Sequence, residues 1–536
     1  MRAMKCGLVA VALAACGDGG SVDTSPITYS TMGPLVGDAG KGSWRFGVAS
    51  AATQIEDMNP NTDWYVFTEP QAMGGLGKGT EFVGDAIHGY SLDLEDVGLV
   101  GDLGVDSYRF SIEWARIEPQ RGVIDEDAIA HYRAELEALV AKGIRPLVTI
   151  HHFSNPIWTY DLHDLGCANG PSDTNLCGFG GPGGAQIVQA MADHAALLAQ
   201  RFGDLVDEWG TVNEPLIWMF AAYGVGYFPP GKNALANPVA QLVPPLRDYL
   251  AAQAAMYKAI KANDTIDADG DGVAAAVGFS MSVADWEPAR KNLPSMDPAD
   301  LAARDRLVYL FHYMFVDAAV TGGFDTDLDG VPDEMHPEWA GTIDWLGLQY
   351  YFRAGVSGDR PILIGVTPCT TGIDNGACLP APDPSYCSPR MGYEAWPDGI
   401  RTVIHGFADR YPNLPLVITE SGIASNVGKR HAETVVRVLE AVEQTRKEGV
   451  DIRGYYHWSL TDNFEWAEGF GPHFGLYSVD LSSYARTPTE GATVLTDIAK
   501  TRTLSTAQRQ TYGGLGPMSP EAGADSSNVY CYKQVE

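Results

Sequence analysis

Two glutamates stand where a strand is made to stop. Glu214 lies in "GTVNEPLIW", at the end of an apolar run and directly before Pro215. Proline removes a ladder donor and restrains the residue before it, so the strand must end there and leave the carboxylate at a rim. Glu420 closes the apolar run "LPLVITES", with Ser421 and Gly422 after it. A carboxyl group can give a proton, take one or attack an electrophilic carbon, and its surroundings decide which. Gln54, His152, Asn213, Tyr351 and Trp458 end or follow other apolar runs, and Arg109 lies within one. Each alone reads equally well as a cap, a core histidine or a packed aromatic. Chemistry requires that they meet.

The elements that could bring them together are eight short β-rich runs: "WRFGVASA", "SYRFSIEW", "RPLVTIHH", "EWGTVNE", "VAAAVGFSMS", "DWLGLQYY", "LPLVITES" and "IRGYYHWS". Helical patterns such as "DAIAHYRAELEALVAKG" and "HAETVVRVLEAVEQTRKEG" separate them, with apolar residues at helical spacing and a glycine stop. Near-continuous apolar strands alternating with helices imply a parallel sheet covered by helices. Eight such units predict a closed (β/α)8 TIM barrel, a single catalytic domain with loop insertions over residues 44–500. A doubly wound open sheet is the alternative, but no glycine-rich phosphate turn follows the first strand. In a barrel all the strand ends named above converge on one face, the face on which barrel enzymes carry their active sites. Glu214 and Glu420 then face each other across the mouth. Paired carboxylates of this kind cleave glycosidic bonds: one protonates the leaving oxygen while the other attacks the anomeric carbon or activates water.

From Trp44 to about Lys500 the chain resembles glycoside hydrolase family 1, the β-glucosidase family of retaining β-glycosidases. The resemblance rests on "TVNEP", "VITESG", "FGVASAATQIE", "YRFSIEWARIEP", "TIHHFSNP" and "YYHWSLTDNFEWAEGF". It implies that Glu214 is the general acid/base, Glu420 the nucleophile, and Asn213 the partner of the sugar 2-hydroxyl. It further implies that Gln54, His152, Tyr351, Trp458, Glu465 and Trp466 contact the sugar, and that Arg109 and Tyr351 orient the nucleophile. Retention implies carboxyl groups roughly 5 Å apart. Glu465, where sugar-6-phosphate enzymes of the family carry smaller and basic residues, favours an unphosphorylated sugar. The chain departs from the family pattern at Gln349, Ser421 and His473, where asparagine, asparagine and arginine are usual. No cofactor for catalysis is implied. A catalytically silent sugar receptor on the same barrel is the rival from another class, and β-galactosidase or β-fucosidase specificity is the rival within it.

Among 536 residues the formal net charge is −32, which opposes nucleic-acid binding. The start, "MRAMKCGLVAVALAACGDGG", has a basic n-region, a short apolar run and "LAAC" ending at Cys16. It resembles a lipoprotein signal peptide, residues 1–16, with Cys16 as the lipid anchor, and predicts an exported bacterial lipoprotein of the cell envelope or surface that meets the membrane only through that lipid. Residues 17–43 read as a flexible tether and residues 501–536 as a tail. Beyond the signal region lie Cys167, Cys177, Cys369, Cys378, Cys387 and Cys531. Local spacing favours Cys167 with Cys177 and Cys369 with Cys378, leaving Cys387 for Cys531; free thiols are the alternative. Two aspartate-rich loops, "DADGDG" with Asp267, Asp269 and Asp271, and "DTDLDGVPDE" with Asp325, Asp327, Asp329 and Asp333, resemble the start of calcium-binding loops. Neither has Glu at the twelfth place. Structural Ca2+ is one reading, a pair of acidic turns the other, and a calcium-dependent adhesion protein a third that ignores the strand ends. Both loops precede strands, so both are expected side by side at the bottom of the barrel.

Overall fold

The computed structural model describes residues 23–361, 364–370, 374–388, 390–521 and Cys531. Eight parallel strands close into a barrel: β1 (Arg45–Ala49), β2 (Ser107–Ser111), β3 (Arg145–His151), β4 (Glu208–Asn213), β5 (Ala276–Arg290), β6 (Trp345–Ser357), β7 (Leu416–Glu420) and β8 (Ile452–Trp458). β8 closes on β1 from Gly454 opposite Arg45 to Trp458 opposite Ala49. The helices that cover it are α1 (Asp93–Leu103), α2 (Glu126–Ala141), α3 (Gly184–Phe202), α4 (Pro238–Asn263), α5 in two pieces (Pro298–Val308 and Met314–Thr321, joined by a π turn over Tyr309–Tyr313), α6 (Gly399–Arg410), α7 (Gly428–Lys447) and α8 (Glu490–Thr501). The (β/α)8 expectation is met strand for strand.

The strand period of two sorts the side chains into two layers. Phe46, Val48, Tyr108, Phe110, Val148 and Ile150 join the large apolar cluster shared with the helices. Their neighbours point inward: Arg45 reaches Glu208, and Tyr456 donates to Ser107 at 2.8 Å. Gly47 is required because a Cβ there would lie 2.2 Å from the Tyr456 ring.

The tether reading of residues 17–43 fails from Ile27 onward. Ile27–Thr28 pairs antiparallel with Thr503–Leu504, Tyr29 stacks on Trp44 at 5.0 Å, and Leu35 packs with Leu147, Trp345, Val417 and Tyr456 inside the barrel bottom. A barrel interior must be filled, and this segment fills it with a few scattered apolar residues that show no period. The tail is likewise built in as far as Glu521. Ser505 and Gln508 form a capping box, Arg437 donates to the carbonyls of Tyr512, Gly516 and Pro517, and Glu521 accepts from Ser425. Residues 1–16, with Cys16, lie outside the described residues.

All three expected disulfides form, Cys167–Cys177, Cys369–Cys378 and Cys387–Cys531, with Cα separations of 5.6, 4.7 and 4.9 Å. The aspartate loops are partly as expected. At the bottom, Asp267 and Asp269 gather with Asp207 and not with Asp271, and Arg145 pairs with both Asp269 at 2.6 Å and Asp271 at 3.3 Å. Asp325, Asp327 and Asp329 gather, but Asp333 turns away to accept from the Thr326 amide and hydroxyl, both at 2.7 Å. The second loop is not beside the first. A hairpin pairing Gly323–Phe324 with Glu334–Met335 carries it back along α5, so that Arg306 donates to the Asp329 carbonyl, fifteen residues before the helix ends at Thr321. At 1.5 Å per residue this lifts the loop by ~20 Å. Among the described residues no helix is long and apolar enough to cross a membrane.

Candidate active site

Pro215 turns the chain at the end of β4 by starting the short helix Pro215–Met219, for which Glu214 is the N-cap. Glu214 takes a left-handed backbone, φ 38° and ψ 58°, and its N–H donates to the Ser280 carbonyl at 2.8 Å. A non-glycine residue held there stores strain, which the packed barrel rim must sustain. Two register shifts help to aim the neighbouring groups, one between Gly210 and Asn213 in the β4–β5 pairing, the other between Leu348 and Gln349 in the β6–β7 pairing. Such irregularities re-aim side chains beside active sites.

The predicted residues converge. Arg109 donates to Glu420 Oε1 and Asn213 Oδ1, each at 2.5 Å. Gln349 donates to the same two atoms, each at 2.7 Å, and the Tyr351 hydroxyl donates to Glu420 Oε2 at 2.7 Å. The Asn213 amide donates to His152 Nε2 at 3.0 Å. Burial, and then the charge of Arg109, hold the His152 imidazole well below its ordinary pKa, so it is neutral and can accept. Gln54 Nε2 donates to Asn463 Oδ1, the Phe464 carbonyl and Glu465 at 3.1, 2.9 and 3.4 Å. Trp466 stacks over His152 at 5.9 Å, and Trp458 does so at 6.0 Å from the same ring. Among the described residues, Gln54 Oε1, His152 Nδ1 and Gln349 Oε1 are buried without a protein partner. A buried polar atom of this kind costs stability until something bonds it, and a polyhydroxylated ligand supplies the missing partners.

These groups surround a cavity of about 210 Å³ at the C-terminal ends of the strands. Glu214, Glu420 and Glu465 line it, and no lysine or arginine among the described residues does. Burial, then the charge of Glu420, raise the Glu214 carboxyl well above the ordinary range. Burial also raises Glu420, opposed by Arg109 and the Tyr351 hydroxyl. Both carboxyls are thus raised, and the hydrogen bonds of Arg109 and Tyr351 oppose protonation at Glu420, whereas at Glu214 the opposition comes from a Ser282 hydrogen bond and the charge of Arg109. Burial, then Glu420 and Glu468, push Glu465 up to about 8.

A family model described as glycosyl hydrolase family 1 matches residues 41–504. The chain belongs to this family. A β-galactosidase of Pyrococcus woesei is 31% identical over 497 residues, 83% of this chain and 94% of that protein. A β-glucosidase of an Agrobacterium species is 29% identical over 473 residues, 83% and 92% of the two chains. Among solved structures, the β-glycosidase from Pyrococcus horikoshii superimposes with a TM-score of 0.72 at 26% identity, covering 91% of this chain and all of that one.

Two site groups went unread in the sequence. Ser282, the last residue of the run "VAAAVGFSMS" and inside β5, bonds the Glu214 carboxyl. It was findable, since the end of that run alone had no residue assigned. Gln349 was marked only as a departure, yet it ties Asn213 to Glu420. The aromatic rim of Phe153, Phe228 and Phe474 carries no local signal beyond hydrophobicity.

Proposed function

We propose that this protein is a retaining β-glycosidase that hydrolyses unphosphorylated β-glucosides or related small glycosides by double displacement. The observation that carries the reading is the unequal pair of buried carboxyls. Glu420 accepts from Arg109, Gln349 and Tyr351, whereas Glu214 has burial and a facing negative charge. Glu420 attacks the anomeric carbon as a carboxylate while Glu214 gives its proton to the leaving oxygen, and the glycosidic bond breaks. Glu214, now a base, takes a proton from water whose oxygen displaces Glu420 and restores both groups. Gln54, His152, Glu465 and Asn213 bond the sugar hydroxyls, and Trp458 and Trp466 give it apolar faces. The absence of a lysine or arginine lining the cavity among the described residues favours a sugar without phosphate. Proton NMR of the first-formed sugar tests this: a β product from a β-glucoside is expected, and an α product overturns it. The sugar among glucose, galactose and fucose is read from a panel of aryl glycosides.

The protein is exported and held by lipid at Cys16, a reading supported by the N-terminal sequence and by three disulfides, which persist in oxidising compartments. Cys16→Ser should release it from membranes. The two aspartate trios suit a hard cation such as structural Ca2+. Burial pushes Asp207 up to about 7, a cost that a cation would relieve.

A further inference from the structure

The catalytic cavity shares Ile217, Phe352, Met391 and Tyr393 with a second cavity of about 410 Å³. Ile217 stands three residues after Glu214 on the helix Pro215–Met219 and Phe352 directly follows Tyr351, so the shared lip lies across the β4 and β6 ends of the mouth. Gln54, Glu465 and Trp466 line the catalytic cavity but not the second one. A group bonded to the oxygen that Glu214 protonates is therefore directed toward the second cavity.

We infer that this cavity receives the apolar chain of the leaving group, and that the substrates include β-glycosides of long alkyl or acyl chains. The inference rests on the glycosidase reading above and names its substrate class. Among the described residues no charged side chain lines the cavity, and its walls are aliphatic and aromatic. A second sugar there would leave most of its hydroxyls unpaired, which costs more than it returns. The walls are built for the purpose. β5 and β6 run past the barrel and stay paired from Arg353 opposite Asp285 to Val356 opposite Pro288, which carries Trp286 and Phe352 outward. β6 is then clasped by Thr367–Pro368 beside the Cys369–Cys378 disulfide, and Ile364 lines the cavity together with Leu307 and Phe311 of the α5 segment. The lifted aspartate loop contributes Leu328, whose side chain is buried. Two π turns, Phe220–Gly224 and Tyr309–Tyr313, each place an aromatic ring, Phe220 and Phe311, in the wall. Such turns recur at functional sites.

The test is kcat/KM for methyl, hexyl, octyl and decyl β-glycosides, below their micellar concentrations, with cellobiose alongside. We expect a rise of about two- to fourfold per methylene, the upper figure corresponding to ~0.8 kcal/mol per buried CH2. Leu307→Asp and Ile364→Asp, from two different segments of the wall, should each flatten the series and leave methyl glycoside turnover unchanged; if one does not fold, the other decides. A flat series in the wild type, a steep series in the folded variants, or preference for cellobiose over the decyl compound overturns the inference while the glycosidase reading stands. If no glycoside is turned over, that reading fails instead. The cavity is then tested by calorimetry of decyl β-glucoside binding, where a negative heat-capacity change abolished by the variants supports it and no binding overturns it.

Discussion

The barrel holds a buried arginine–glutamate pair near each end, and the two are set in opposite surroundings. At the bottom, Glu208 meets Arg45 and also Arg145 at 3.3 Å, under the plug formed by Leu35. At the top, Glu420 meets Arg109, but Glu214 and Glu465 stand in the same cavity with no cation of their own. The lower cluster sets two arginines against Glu208, one of which also holds Asp269 and Asp271, and serves structure. The upper one has three carboxyls to one arginine, so at neutral pH it must keep protons, and a site that keeps a proton can give one. The same two residue types thus brace one end and react at the other.

The largest effect should come from removing the upper carboxyls. Glu420→Gly is expected to lower kcat by on the order of 10⁵, with azide restoring part of it as an α-glycosyl azide. Glu214→Ala should yield a β-azide with an activated aryl glycoside. Exchanged products, read by NMR, would reverse the two roles.

The lower pair should answer in stability. Glu208→Gln leaves Arg45 buried without its counter-charge and should cost about 3–5 kcal/mol, measured by denaturant unfolding, while kcat of the folded enzyme stays near wild type. Tyr351→Phe should do the converse, lowering kcat by roughly 10²–10³ through loss of a donor on the nucleophile with little change in the unfolding midpoint. Equal losses of stability in both variants would remove the distinction between the two ends.

The retained protons predict a pH dependence. The folded-state pKa values of Glu214 and Glu465 are raised above those of the unfolded chain, so the folded protein binds more protons than the unfolded one between the two values. Their contribution to stability is fully present below the unfolded carboxyl range, about 4.3. For Glu465 it is lost as pH rises through about 8. The melting temperature should therefore fall from pH 5 to 9, and Glu465→Gln should flatten part of that slope. A slope unchanged by the substitution would show that burial does not hold the proton there.

The smallest effect is expected from cation removal. Chelator should lower the melting temperature by a few degrees and Ca2+ restore it, as for any ion that binds only the folded chain. Because the second aspartate loop lies beside the apolar cavity, chelation should also weaken decyl glycoside turnover more than methyl glycoside turnover. Unchanged melting removes the cation.

The strands, helices and reactive ends were legible because their signals are local. A period of two or 3.6, a proline after Glu214 or a motif around Glu420 is complete within a dozen residues. Two of the disulfides, Cys167–Cys177 and Cys369–Cys378, join cysteines equally close in sequence. What escaped depends on distant parts of the chain meeting. Leu35 has no period, yet fills the bottom of a barrel that exists only after eight strands close. Asp271 and Asp333 fit their loops' pattern but stand outside the two trios, Asp333 turned to Thr326, while Asp207 joined from another loop. Gln349 faces Glu420 only because the β6–β7 pairing shifts register between Leu348 and Gln349. The apolar cavity is assembled from the helix after Glu214, α4, α5, two extended strands and three connecting stretches, and none of those segments carries a mark of it alone. The sequence by itself determined the scaffold and which groups gather at its mouth as candidates to react. Only the tertiary structure decided what surrounds them, because burial, charge pairing and strand register are properties of residues far apart in the chain.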